Sequence, residues 1–172
     1  MLLISKTVRL RLVEESDAEF IFGLRIEEKY NKYLSAVVDD VDTQINWIRR
    51  YKEDEANRQQ FYFIIERLDG ERCGTVRVYD FVGNSFSWGS WILNEQKTRN
   101  AAIESAFLVY TFGFEQLGFD RCHFEVRKGN DRVISFHEKM GATKTHETEH
   151  EFYFEITKES VNSAREKLQG KL

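Results

Sequence analysis

Several short stretches of this chain carry residues whose types and spacing can do chemistry. Lys97-Thr98-Arg99-Asn100-Ala101-Ala102 stands directly before a run with helical periodicity. The first turn of a helix offers unpaired N–H groups and the positive end of its dipole, so it binds phosphate oxygens. Lys97 and Arg99 add two cations at that mouth, Asn100 tolerates unusual backbone angles, and Ala102 is small enough for a close approach. The bland alternative is an ordinary basic loop at a helix start.

His146-Glu147-Thr148-Glu149-His150 matches His-Glu-x-x-His, a pattern that holds zinc when a helix puts both imidazoles on one face. No apolar stripe supports a helix here, and the flanks are β-like and aromatic. On a strand the two imidazoles stand ~13 Å apart, so no metal is expected. Gly89 interrupts the strand Ser85–Leu93 and marks a bulge or a close backbone approach. Alternation along that strand assigns Trp88 and Trp91 to opposite faces, one in the core and one able to wall a substrate cleft. Arg25, Tyr30, Asn31 and Tyr33 gather groups that can bind a hydroxylated molecule such as a sugar, or form an amphipathic loop. Cys73 and Cys122 have no histidine at a telling spacing and read as buried free thiols.

The elements that must position these residues follow from periodicity. Ile103, Ala106, Phe107, Tyr110, Phe114 and Leu117 form one helical stripe, stopped at Gly118. Cys122, Phe124 and Val126 alternate with His123, Glu125 and Arg127, which predicts a strand with two unlike faces. Asn130 to Gly141 predicts a capped helix ended by glycine. Upstream, Val8, Leu10 and Leu12 against Arg9 and Arg11 predict a strand with one wet face. Ser16 to Glu19 reads as a capping box before a helix with Phe20, Ile21 and Leu24 inside. A second helix starts at Asp42 or Thr43, and Lys52 to Gln60 reads as a solvated helix end and loop.

Asp69-Gly70 joins the strands Phe61–Arg67 and Arg72–Tyr79 in a hairpin, Phe86–Leu93 adds a third strand, and Thr143–Ile156 forms another hairpin. A terminal helix, Lys158 to Leu168, packs on the fold or makes a dimer contact. The order βααβββαβαβ(β) plus a C-terminal helix describes a mixed α/β (α+β) sandwich, in one domain spanning 1–172.

With 172 residues, 41% hydrophobic and 14% aromatic, the chain is long and apolar enough for one substantial core. A net charge of −4 argues against a nucleic-acid-coating surface. The apolar runs are too short to span a bilayer, and Met1 to Lys6 lacks the length of a signal peptide. A cytoplasmic protein with reduced thiols is expected.

The segment Lys97–Ala142 resembles the GCN5-related N-acetyltransferases (GNAT), whose phosphate segment Gln/Arg-x-x-Gly-x-Gly/Ala opens a long helix. There a strand and a second helix follow, the latter reading Asn-x-x-Ala-x-x-x-Tyr-Glu-Lys-x-Gly-Phe. Asn130, Glu138, Lys139 and Gly141 fall in register with that second segment. Lys97, Asn100 and Ala102 stand at the Gln/Arg, first Gly and Gly/Ala positions, while His137 and Ala142 replace the Tyr and Phe.

The resemblance implies a mostly antiparallel central sheet flanked by helices and an acetyl-CoA-dependent N-acetyltransferase without a metal. It implies cofactor contacts from Trp91, Ile92 and Leu93 along the splayed strand. Lys97, Arg99, Asn100, Ala101, Ala102 and Asn130 would supply the rest. It makes His137 the candidate acid for the departing thiolate, and assigns the acceptor pocket to Arg25, Tyr30, Asn31 and Tyr33, with Trp88 as a possible wall. Many relatives carry a Glu two residues before Gly89 as general base; Ser87 stands there, so that role is vacant or filled elsewhere. The expected acceptor is the amine of a nucleotide-linked sugar or a protein N-terminus, small molecule or peptide, with no nucleic acid or membrane partner. The rival expectation is a catalytically silent domain of the same fold.

Overall fold

The computed structural model describes residues 1–27 and 40–171. Their eight strands form one sheet in the order β1-β2-β3-β4-β5-β6-β8-β7. β1 (Leu2–Ile4) pairs with β2 (Val8–Leu12), adding a strand the sequence did not announce. β3 (Phe61–Arg67), β4 (Arg72–Val82) and β5 (Ser85–Leu93) are the expected antiparallel meander. β6 (Arg121–Arg127) joins β5 in parallel, and the hairpin of β7 (Thr143–Glu147) and β8 (Glu151–Thr157) completes the sheet.

Parallel neighbours need a long crossover. Here α3 (Ala101–Thr111) supplies it, running into a single π turn at Phe112–Gln116. With α4 (Asp131–Lys139) and α5 (Lys158–Lys167), α3 covers one face of the sheet. α1 (Ala18–Ile26) and α2 (Val41–Ala56) cover the other face over Tyr62 and Ile64. β3 therefore has helices on both sides, which is why Phe61 to Ile65 is buried without alternation. Gly118 and Gly141 end their segments at φ 81° and 102°, left-handed stops that only glycine takes cheaply.

One local expectation is corrected, and two gain partners that the local pattern did not show. The first strand alternates as expected, with Val8 and Leu10 buried and the arginines half-buried, but that polar face is ion-paired: Arg9 and Arg11 converge on Glu66 at 2.7 and 3.0 Å, and Arg11 forks onto buried Asp17 with two bonds of 2.8 Å. Guanidiniums on that face neutralise carboxylates that α1 and β3 bring inward. The capping box lies earlier than Ser16–Glu19, because the Asp17 carboxylate accepts from the Glu14 N–H and holds a short 3-10 turn at Glu15–Asp17. α2 ends at Ala56 and a loop follows, as the polar run Lys52–Gln60 implied. The Tyr51 hydroxyl accepts from the Tyr62 N–H and donates to Glu55, both at 2.7 Å, which ties that last turn to β3.

Candidate active site

β5 and β6 pair only at Ser85–Arg121 and Phe86–Cys122 and then part. The cause is legible on β5. Against β4, Thr75 pairs with Ile92 and Arg77 with Gly89, so β5 carries one residue too many between them. Ser90 takes φ 48°, and its carbonyl accepts from the Thr75 hydroxyl at 3.0 Å, which fixes the bulge. Beyond Phe86 the β6-facing edge of β5, carrying Trp91, Ile92 and Leu93, therefore keeps backbone N–H and C=O groups that no strand among the described residues pairs. Unpaired peptide groups inside a sheet suit an extended amide-bearing chain.

That extra residue also overturns the expected parity of the tryptophans. Trp88 and Trp91 lie on the same side, ring centroids 5.0 Å apart, because the bulge shifts everything after Ser90 by one position. Trp88 is 4% exposed among Tyr110, Phe124 and His137, so it is core and not a cleft wall. Trp91 packs on Phe136 and donates its indole N–H to Ser105 on α3 at 3.2 Å.

The basic loop sits at the start of α3 as expected, with Lys97 and Arg99 exposed and Ala101 buried. Asn100 is the N-cap by position, although its side chain makes no capping bond; its carbonyl accepts from the Glu104 N–H at 2.9 Å. Asn130 likewise heads α4 through its carbonyl, which accepts from the Ile134 N–H at 3.0 Å. Sequence patterning missed what anchors the basic loop. The buried Glu104 carboxylate accepts from the Thr7 N–H at 2.6 Å and from the Thr7 hydroxyl, and Thr98 of the loop lies 2.7 Å from that hydroxyl. No local signal announces contacts between residues more than ninety positions apart.

His137 is not beside the solvent. It is 4% exposed, enclosed by Trp88, Phe124 at 4.3 Å, Phe136 and Phe154, with Nδ1 buried and without a hydrogen-bond partner among the described residues. Burial pushes its imidazole down to about 3, so the ring is neutral at physiological pH. The imidazolium form of the expected acid is thereby removed, and a neutral ring has one N–H to offer. Arg25 is buried at the end of α1; Tyr30, Asn31 and Tyr33 lie outside the described residues.

On the sheet face opposite α3 and α4, beyond the cover of α2, polar side chains collect beside the split. Tyr79 faces Ser87 across the β4–β5 ladder and stacks under the Arg77 guanidinium at 4.4 Å. An open cleft of about 340 Å³ is lined there by Asp54, Gln59, Gln60, Arg77, Tyr79 and Asp80. His123 of β6 is held at both nitrogens: Nε2 lies 2.9 Å from the Asp80 carboxylate and Nδ1 2.6 Å from the Ser85 hydroxyl. The strict alternation of β6 already separated His123 and Glu125 from the core residues, but it could not say what faced them.

His146 stands on β7 and stacks on Tyr153 of β8 at 4.3 Å, while His150 follows the hairpin turn. The helix that the zinc pattern requires is replaced by a hairpin. Cys73 and Cys122 are buried free thiols, both pushed up by burial.

A parallel pair that splays at a bulge, next to a basic helix mouth, defines an acyl-CoA-type transferase fold. Residues 7–143 match the family model of the acetyltransferase (GNAT) domain, and the chain belongs to that family. It is similar to apo FdhC, a nucleotide-linked sugar GNAT, with 50% identity over 98% of this chain and 97% of that one and a TM-score of 0.91. A GCN5-related N-acetyltransferase from Brucella melitensis shares the fold at TM-score 0.80 and 15% identity, over 99% and 84% of the two chains. Spermidine N(1)-acetyltransferase of Escherichia coli (strain K12) is 25% identical over 158 residues, 86% of this chain and 78% of that protein.

Proposed function

We propose that the protein transfers an acetyl group from acetyl-CoA to the primary amine of a nucleotide-linked amino sugar. The observation that carries the acceptor is the 50% identity to a nucleotide-linked sugar GNAT across nearly the whole of both chains. The donor fits what the chain offers. Lys97, Arg99 and the first amides of α3, from Ala101 and Ala102, would hold the pyrophosphate, with Asn130 nearby in sequence register with the family. The unpaired backbone of Trp91, Ile92 and Leu93 would hold the pantetheine arm through its amides.

Acetyl-CoA, when bound, supplies an acyl group activated as a thioester. The protein's own contribution is orientation of two reactants and polarisation of the carbonyl by backbone N–H groups at the bulge. His137, neutral in its aromatic surroundings, would offer one N–H toward the departing sulfur and would not act as a strong acid. Arg77, Tyr79, Gln59 and Gln60, beside the carboxylates of Asp54 and Asp80, give the cleft a cation, a phenol and hydrogen-bonding groups, chemistry that suits the hydroxyls and amine of a sugar.

The test is calorimetry with acetyl-CoA and dephospho-CoA, followed by an acetylation panel. That panel holds UDP- and dTDP-linked amino sugars, free glucosamine, spermidine and a peptide with a free N-terminus. Preferred turnover of a nucleotide-linked sugar supports the proposal; turnover of spermidine or peptide alone replaces its acceptor. Folded protein that binds neither form of coenzyme is a silent domain.

A further inference from the structure

Resting on that acetyl-transfer reaction, we infer that Glu125 is the group that takes the proton from the acceptor amine. The family's usual base position is Ser87, a buried hydroxyl facing Tyr79 across the ladder and no base at neutral pH, so the reaction needs another acceptor for a proton. The register supplies one. Gly89 lies four residues past Ser85 on β5, and Glu125 lies four past Arg121 on β6, so the two occupy equivalent heights on strands that have just separated. Residues two apart on a strand share a face. Ser85, Ser87 and Gly89 therefore point to the same side as His123 and Glu125, opposite Cys122, Phe124 and Val126 in the core.

The other titratable groups on that face are committed elsewhere. His123 has Ser85 on one nitrogen and Asp80 on the other, and an imidazole so held has no lone pair to spare. Tyr79 is a phenol raised further by burial and then by the charge of Glu125, so it stays protonated. Glu125 makes no ion pair or side-chain hydrogen bond in the described structure and is reachable from solvent. It is surrounded by Tyr79 and Asp80 of β4, His123 and Arg127 on its own strand, and Glu151 and Tyr153 of β8, with His146 of β7 behind Tyr153. Partial desolvation, then Glu151 and Asp80, hold its carboxyl above the usual carboxylate range. A carboxylate of raised basicity is a better acceptor from an ammonium.

The step balances as follows. The acceptor arrives as R–NH3⁺ and gives one proton to the Glu125 carboxylate, which frees a nitrogen lone pair. The N–C bond forms at the thioester carbonyl and the C–S bond breaks, its electron pair leaving on sulfur. A second proton leaves nitrogen as the amide forms and ends on the thiolate; the proton on Glu125 passes to water and restores the carboxylate.

Glu125→Gln and Glu125→Asp test this with acetyl-CoA and a UDP- or dTDP-linked amino sugar, measuring kcat/KM from pH 6 to 9.5, melting temperature and coenzyme affinity by calorimetry. The expected result is a loss of roughly a hundredfold or more for Gln. The acidic limb of the profile should disappear and the Asp variant should recover part of the rate. Coenzyme affinity should stay within about twofold of the wild type, a readout separate from turnover. Gln with at least a third of the wild-type rate and the same pH profile overturns the assignment of Glu125 alone. A wild type that acetylates no member of the wider amine panel removes the reaction itself, and overturns both the assignment and the acceptor reading. A Gln variant that loses coenzyme binding in step with rate overturns the assignment too, since Glu125 then holds the fold or the coenzyme site.

Discussion

The hydroxyl of Tyr79 occupies the space where a side chain on Gly89 would begin: a Cβ there would stand 2.8 Å from the phenolic oxygen. The bulge thus needs no side chain at Gly89, and the absence of one lets a tyrosine from the neighbouring strand lean over the split. The contact is with the far end of a flexible side chain, so Gly89→Ala should fold. We expect a fall in melting temperature of only a few degrees, for a cost of about 1 kcal/mol, with a larger, at least tenfold, fall in kcat/KM as Tyr79 is pushed aside. Thermal melts beside steady-state rates check this, and equal small losses in both would separate Tyr79 from the chemistry.

Lys97→Ala and Arg99→Ala should each weaken acetyl-CoA binding by roughly tenfold, the scale of one charge-assisted bond to phosphate. Both side chains are exposed, so the effect should shrink as salt is raised. Titrations at low and high ionic strength decide it: a loss independent of salt would mean that the variants deform the loop. Thr98 sits between these cations and answers to Glu104 through Thr7, so Glu104→Gln should weaken the same binding by loosening the loop.

His137 gives a pH prediction with a definite sign. Its folded value is depressed to about 3 against an ordinary 6.5, so the unfolded chain binds the proton more readily. Its neutral burial contributes fully above pH 6.5 and is lost progressively as pH falls from there toward 3. By pH 5 the loss amounts to about 2 kcal/mol. Urea melts between pH 4.5 and 7.5 should show a shallower decline for His137→Phe than for the wild type. His137→Ala should lower both stability and turnover, because it empties an aromatic cage, whereas His137→Tyr should keep more activity. If Phe matches the wild type in kcat, the imidazole serves packing alone.

Double replacement of His146 and His150 by Ala should leave turnover unchanged, as should exhaustive dialysis against a chelator. The motif lies on a hairpin, not a helix. Elemental analysis of protein prepared without chelator is the check, and stoichiometric zinc lost with the two histidines would reverse the assignment.

Much of the fold was legible because its cues are local. Asp69-Gly70, Gly118, Gly141 and the alternation of β6 each specify a turn, a stop or a face within a few residues. The site was less legible for two physical reasons. A single extra residue at Ser90 inverts inside and outside for everything that follows, so a parity argument on Trp88 and Trp91 fails although the bulge near Gly89 was anticipated. Buried charges also choose partners far away in sequence: Glu104 meets Thr7, and Glu66 meets Arg9 and Arg11. Periodicity marks such residues as polar and outward, and the partners that turn them inward leave no trace in the local pattern.

The early parting of β5 and β6 has a mechanical meaning. Strands β1 to β5 form one hydrogen-bonded panel and β6 to β8 another, and the two share backbone pairs only at one end of their common seam. Elsewhere along that seam cohesion comes from side chains beneath it, Trp88 and Trp91 against Phe124, Phe136 and His137. Such contacts are less directional than a ladder, so any opening of the sheet should begin along this seam, away from the Ser85–Arg121 corner. Strand amides facing the seam from Trp88 to Leu93 should exchange hydrogen sooner than those of β3 and β4, which hydrogen-exchange measurements would read directly. A chain laid into the seam would act as a splint: it would restore the missing ladder, slow that exchange and make eight strands behave as one sheet.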